Sequence, residues 1–238
     1  MENAHYFLHV TDTHLCFDAE APDICCTEQA LRSLYQTAFA WDHRPAFVLI
    51  TGDLVHEGTS ADYARAKTLL QELDEQYHTK TYPALGNHDN RENFNSAFRE
   101  QASDQPVDYC VQNEWLRWIV LDSSCGQVIG QLSGSQLAWL EQELCDPTDC
   151  PTILALHHPV YGTTTAETDA NNLATPDRLI RLLQDHPVDG ILCGHSHEAT
   201  LVTEQGLPPQ FVGAGAASAA LPLIQGRVQF RKQCWIQF

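Results

Sequence analysis

Basic residues are scarce in this chain: 13 Lys+Arg stand against 31 Asp+Glu, a formal charge of −18 over 238 residues. Proteins that hold long polyanions gain affinity by releasing phosphate counterions with Lys and Arg, so this balance argues against bulk nucleic acid as a partner. An anionic membrane surface is disfavoured on the same ground. Long apolar runs are lacking as well, and none approaches the ~20 residues of a membrane helix. The opening Met1-Glu2-Asn3-Ala4-His5 has neither the basic start nor the apolar core of a signal peptide. The nine cysteines are odd in number and contain no Cys-x-x-Cys spacing, a pattern unlike a secreted disulfide scaffold. They read as reduced, small buried residues of a cytoplasmic protein. Cys145 and Cys150, beside an expected turn, are the one pair to inspect for a bond.

Linkers, composition shifts, low-complexity tracts and fixed-period repeats are absent too, so one domain over 1–238 is expected. What is present is a globular composition, 43% hydrophobic and 18% charged. Short β-rich runs alternate with helical patterns, which implies α/β or α+β with a buried sheet. Strands are expected at His5–Val10, Ala46–Ile50, Thr79–Leu85, Val107–Val111, Trp115–Leu121, Thr152–Leu156, Gly190–Cys193, Thr200–Thr203, Gln210–Val212 and Arg227–Arg231. Helices are expected over Glu28–Ala40, over Ala61–Tyr77 with Ser60 as its cap, over Ser135–Leu144, and from Thr175-Pro176 to His186-Pro187. Pro159–Ala174 lacks periodicity and reads as a surface loop on the substrate side. Trp115, Trp118, Trp139 and Trp235 read as core.

Five of the expected strands run directly into potential metal ligands: Asp12-Thr13-His14, Gly52-Asp53, Gly86-Asn87-His88-Asp89, His157-His158 and Gly194-His195-Ser196-His197. Residues just past the carboxyl ends of neighbouring strands converge on one crevice. Glycine suits the sharp turns and close approaches expected at positions 52, 86 and 194. In an extended segment residues i and i+2 point the same way, which would pair Asp12 with His14 and His195 with His197. Imidazole, carboxylate and amide oxygen without thiolate suit Mn, Fe, Zn or Co. Such groups are more than one tetrahedral ion needs and match two ions ~3.5–4 Å apart sharing a carboxylate, the arrangement of an in-line phosphoester hydrolase. Two divalent ions at roughly +4 against two aspartates at roughly −2 leave a positive site in an acidic protein, which favours a small phosphoester over a long polyanion.

Taken in order, Asp-x-His, Gly-Asp, Gly-Asn-His-Asp, His-His and Gly-His-x-His resemble the calcineurin-like metallophosphoesterase superfamily from Asp12 to His197. Gly86-Asn87-His88-Asp89-Asn90-Arg91, His157-His158-Pro159 and the Gly-x-Leu-x-Gly-x-Gln-Leu-x-Trp-Leu segment from Gly130 to Leu140 resemble its bacterial class III cyclic-nucleotide phosphodiesterase branch, which often has a second aspartate where Asn90 stands. The resemblance implies a four-layer αββα sandwich of two mixed sheets flanked by helices. It implies a first metal on Asp12, His14, Asp53 and His197, and a second on the bridging Asp53, Asn87, His157 and His195. It makes His88 the catalytic histidine, Asp89 its orienter, and a metal-bridging hydroxide the nucleophile. The implied activity is hydrolysis of phosphodiesters, cAMP foremost. A phosphomonoesterase or nucleotide pyrophosphatase is the near alternative, and a non-catalytic scaffold the distant one.

Arg91 and His158 are candidate substrate contacts, each with a competing role: pairing with acidic neighbours for Arg91, bonding to backbone for His158. Asp89 has a competing role as a helix cap. His5, His9, His43, His56, His78 and His186 are read as outside the site, His56 lying nearest to a motif. The expected partner is a small phosphoester; the number of copies stays open, a homodimer being compatible.

Overall fold

The structure is a computed structural model describing residues 5–17, 27–162, 171–216, 227–230 and 234–237. Two sheets face each other. The first has strand order β10-β11-β1-β2-β3, from β1 (His5–Val10), β2 (Val48–Thr51), β3 (Thr81–Ala84), β10 (Arg227–Phe230) and β11 (Cys234–Gln237). The second has order β4-β5-β6-β7-β9-β8, from β4 (Tyr109–Gln112), β5 (Arg117–Val120), β6 (Thr152–Ala155), β7 (Gly190–Cys193), β8 (Thr200–Val202) and β9 (Gln210–Val212). Pairing is parallel between β11, β1, β2 and β3, and between β5, β6, β7 and β9. The outer strands β10, β4 and β8 run antiparallel to their neighbours. Both sheets are therefore mixed.

The side-chain period of two explains the layering. Leu8, Val10, Val48 and Ile50 face outward onto α1 (Thr27–Phe39) and α2 (Ser60–Tyr77), where Leu31, Tyr35, Ala66 and Leu70 are buried. Phe7, Phe47 and Leu49 face inward and meet Trp118, Val120, Ile153 and Leu192 of the second sheet. Ile119, Leu154 and Ile191 point away from that seam onto α4 (Gly134–Cys145) and α5 (Pro176–Asp185), against Leu140, Leu179 and Leu183. Strands covered on both faces read as continuous apolar runs. The result is the expected αββα sandwich.

Two elements escape the sequence reading. The helix α3 (Arg91–Arg99) has few apolar residues, although Phe94 and Phe98, four apart, stack at 4.5 Å. Strand β11 inserts between β10 and β1. Trp118 is buried, Trp115 and Trp139 only partly so. The side chain of Trp235, and positions 163–170 of the expected loop, lie outside the described residues. One cap differs and one was not foreseen. Thr59, not Ser60, caps α2 through a reciprocal box with Asp62, and Ser133 does the same for α4 with Gln136. Cys145 and Cys150 are not bridged; both are free thiols, and Cys150 Sγ lies 3.6 Å from the Asn113 carbonyl.

Candidate metal centre

Asp12 and His14 follow β1, Asp53 follows β2, and Asn87 to Asp89 follow β3, three adjacent strands of the first sheet. His157 and His158 follow β6, and His195 and His197 follow β7, adjacent strands of the second. The two rims are tied together by backbone groups. The His157 ring Nδ1 donates to the Thr51 carbonyl at 2.9 Å, and the His195 N–H donates to Asp12 Oδ2 at 3.0 Å.

Each of the five motifs therefore contributes to one cluster. Asp12 Oδ1 lies 3.1 Å from His197 Nε2, and His197 Nε2 lies 3.3 Å from His14 Nε2. Asp53 Oδ2 is 3.5 Å from His14 Nε2 and 3.4 Å from His157 Nε2. On the far side His157 Nε2 is 3.1 Å from Asn87 Oδ1 and 3.3 Å from His195 Nδ1. One carboxylate oxygen thus stands between two nests of nitrogen and oxygen donors.

The backbone that delivers them is not extended. Asp12, His14, Asp53, His195 and His197 all have positive φ, between 40° and 73°. Asp12 and His14 do meet in one nest, and His195 and His197 do reach the cluster, but not by strand alternation: left-handed turns aim these side chains. Non-glycine residues occupy that region only at a cost, and such strain concentrates at functional sites. The other two such residues among those described, His78 and Glu100, end helices. Gly52, with φ of 94°, packs its Cα on the His157 ring, where a Cβ would fall 2.5 Å from Nδ1. At Gly194 a Cβ would fall 1.8 Å from Thr11 Oγ1 and 2.5 Å from Asp12 Oδ2.

Charges are balanced within the cluster. Burial alone would raise the Asp53 carboxyl, but His157 and His14 hold it well below the usual range. Burial would lower His157, yet Asp53 outweighs it and lifts the imidazole to about 9. Burial holds His14 and His195 down at about 4. His197 is raised, chiefly by its bond to Asp12. At 3.3 Å His14 faces His197 and His195 faces His157, in each pair an imidazole lowered by burial against one whose proton a carboxylate retains, a position a cation can take instead. A cation relieves that arrangement, so this nitrogen and oxygen donor set fits a pair of metal ions.

Asp89 takes a role other than those expected, and Arg91 and His158 take the structural one of the two roles open to each. Asp89 does not reach the His88 ring. Its buried carboxylate accepts from the N–H groups of Leu54, Val55 and Gly86 and from the Tyr63 hydroxyl, which ties the β2 and β3 loops together. Burial, reinforced by Asp53, raises it to about 7. Nor does Asp89 cap a helix; Asn90 caps α3 by accepting from the Asn93 N–H. Arg91 spends its guanidinium on Asp122 Oδ2 at 2.7 Å and on the Ser124 carbonyl. His158 has both ring nitrogens engaged, Nδ1 with Ser123 Oγ at 2.8 Å and Nε2 with the Val128 carbonyl at 3.0 Å, and burial lowers it to about 2. Arg91 and His158 thus hold the 122–130 segment, the competing role in each case. Asn171 bonds to His195 through its backbone, so the end of the expected loop does touch the cluster.

Among the remaining histidines, His5 stacks on Trp115 and His43 on Tyr6, while His78 and His186 end helices. His9 is buried between the sheets with Nε2 2.8 Å from Thr51 Oγ1. His56 is different. Its ring meets those of His14 and His88, and ring nitrogens of all three fall within 4.8 Å of one another. Its distance of three residues from Asp53 was the only hint.

Comparison with known proteins agrees with this geometry. Residues 5–199 match the family model described as calcineurin-like phosphoesterase. A probable cyclic nucleotide phosphodiesterase of Rhodococcus erythropolis is 36% identical over 86% of this chain and 68% of its own length. A cAMP/cGMP dual specificity phosphodiesterase of Mycobacterium tuberculosis is 31% identical over 95% and 72%. In fold, a dimetal phosphatase from Danio rerio superposes with a TM-score of 0.71 at 16% identity, covering 90% of this chain and 89% of that one. The chain belongs to the calcineurin-like phosphoesterase family, hydrolytic enzymes.

Proposed function

We propose that this protein hydrolyses phosphodiesters, with 3′,5′-cyclic nucleotides and cAMP in particular as substrates. The observation that carries the dinuclear reading is Asp53 Oδ2, set within 3.5 Å of one imidazole from each sheet. In this reading Asp12, His14, Asp53 and His197 hold one ion, and Asp53, Asn87, His157 and His195 hold the other. Nitrogen and oxygen donors without thiolate favour Mn, Fe or Zn. When bound, such a pair supplies Lewis acidity and a water acidified toward neutrality.

The chain's own groups do the rest. His88 is exposed beside the cluster, its Nδ1 on the His56 carbonyl at 3.0 Å. Its Nε2 is thereby left to bind the phosphoryl group or hand a proton to the departing oxygen. Asp89 holds the loop carrying Asn87 and His88 instead of touching the ring. The fold as a single unit over 1–238, and the reduced thiols of a cytoplasmic setting, belong to the same reading.

The names of the Rhodococcus and Mycobacterium relatives favour the diester over the monoester. The test is to load the protein with Mn, Fe or Zn and assay cAMP, bis-p-nitrophenyl phosphate and p-nitrophenyl phosphate side by side. Turnover of cAMP and the diester well above the monoester is expected. A monoester preference would make the protein a phosphomonoesterase, and no turnover of any phosphoester would make it a scaffold.

A further inference from the structure

His56 is given no role by the family motifs, yet it meets His88 through both its ring and its backbone carbonyl. The two rings stack at 5.1 Å and 27°, and the His56 carbonyl takes the His88 Nδ1 bond. His14 meets both rings edge-on, at 5.5 Å to His56 and 4.7 Å to His88. His56 Nδ1 is buried without a hydrogen-bond partner, and its Nε2 lies 3.5 Å from the exposed Glu57. The ring is therefore seated by packing.

Its backbone is anchored independently. The His56 N–H donates to the Leu15 carbonyl at 3.2 Å. Gly58 packs against the His88 carbonyl, and its own carbonyl accepts from Asn93 Nδ2 at 2.8 Å. The turn at 56–58 thus cannot drift relative to the turn at 88–90.

We propose that His56 is a positioning residue for His88. The carbonyl selects the tautomer with the proton on Nδ1, and the stacked ring closes one face, so that Nε2 is held toward the metal cluster. An exposed imidazole without such a wall would sample other rotamers, and misplacing a reacting group by an ångström costs up to ~10²-fold in rate. This rests on the reading of His88 as the group that assists the leaving oxygen.

The test compares His56→Ala, which removes the ring but keeps the carbonyl, with His56→Phe, which keeps a flat ring without nitrogen. Two substrates are assayed: cAMP, whose alkoxide leaving group needs a proton, and bis-p-nitrophenyl phosphate, whose phenoxide does not. In His56→Ala the ratio of kcat on cAMP to kcat on the aryl diester falls about tenfold or more, with metal content unchanged. His56→Phe brings the ratio back to within about threefold of the parent. Independently of any substrate, long-range 15N–1H spectra show His88 as a single Nδ1–H tautomer in the parent and as a tautomer mixture in His56→Ala, where the unwalled ring swings off the carbonyl for part of the time.

Equal loss on both substrates, a Phe variant no better than the Ala variant, or an unchanged His88 spectrum would each overturn the proposal. His88→Ala separates the two levels. If its ratio also stays unchanged, the role of His88 itself is wrong and this proposal goes with it. If its ratio falls while that of His56→Ala does not, only the positioning role is lost.

Discussion

His157 and Thr51 join the two halves of the site: the imidazole Nδ1 at the end of β6 donates to the carbonyl at the end of β2 across the seam between the sheets, at 2.9 Å. This bond fixes the ring so that its other nitrogen, Nε2, faces Asp53 and Asn87. Bonds of this kind, from the distal nitrogen of a ligating imidazole to a carbonyl, set both tautomer and orientation.

Because Asp53 Oδ2 lies between His14 and His157, losing its charge should disturb both nests. Asp53→Asn is expected to lower the metal content from about two ions per chain to fewer than one. Elemental analysis after equilibrium dialysis reads this directly. Retention of one full ion would assign Asp53 to a single nest.

His88 stands beside the cluster without bridging its carboxylates. His88→Ala should therefore keep its metal and lose about 10²–10⁴-fold in kcat on cAMP. Steady-state kinetics with parallel metal analysis checks the pair of outcomes, and full retained activity would remove His88 from the chemistry.

Metal should stabilise the fold as well as activate it, since the donors assemble only in the folded chain. An ion present at a hundredfold excess over its Kd adds about 2.7 kcal/mol. For a chain of this size that corresponds to a rise in Tm of roughly 5–10 °C per ion. Scanning fluorimetry of chelator-treated protein before and after adding Mn or Zn gives the number. An unchanged Tm would mean the cluster binds neither.

Gly194 leaves no room for a side chain. Gly194→Ala would push a methyl into Thr11 Oγ1 and Asp12 Oδ2. Overpacking of this kind costs about 1–3 kcal/mol, and here it also displaces a carboxylate of the first nest. Gly134→Ala, whose Cβ meets only the Arg178 guanidinium at 3.6 Å, is the neutral comparison. Urea unfolding of both variants, with metal titration, should separate them.

His9, buried beside the cluster without belonging to it, makes stability depend on pH. Burial lowers its pKa from 6.5 to about 4, so the unfolded chain binds the proton more readily than the folded one. Stability fully present above pH 6.5 is then lost as the pH falls toward 4, by roughly 3 kcal/mol. Urea unfolding of metal-free protein from pH 4 to 7 should show this slope, and His9→Gln should lack that part of it. Parallel curves for the two proteins would assign the slope elsewhere.

Most strands were legible because residues such as Leu8, Leu49 and Ile153 alternate between two buried faces, leaving apolar runs that end abruptly at polar motifs. The helix at Arg91–Arg99 was not, because its buried face is little more than Phe94 and Phe98 amid polar residues. At the site, motif spacing pointed to the ligands, but their aim was misjudged. Left-handed turns at Asp12, His14, His195 and His197 depend on what packs against the turn, and no alternation rule reports them. For Arg91 and His158 the sequence left two roles open, and partners distant in the chain, Asp122 and the Val128 carbonyl, decided for the structural one, while Asp89 was given a ring to orient and instead ties two loops together.

The order and type of the polar groups, each at the end of an apolar run, determined by themselves the family and the donor set of the cluster, because donor chemistry is a property of residue identity. Which nitrogen faces which oxygen, whether a carboxylate orients a ring or ties a loop, and that His56 lies flat against His88 were decided only by the tertiary structure. Those choices depend on contacts between residues tens to more than a hundred positions apart, and local sequence carries no energy term for them.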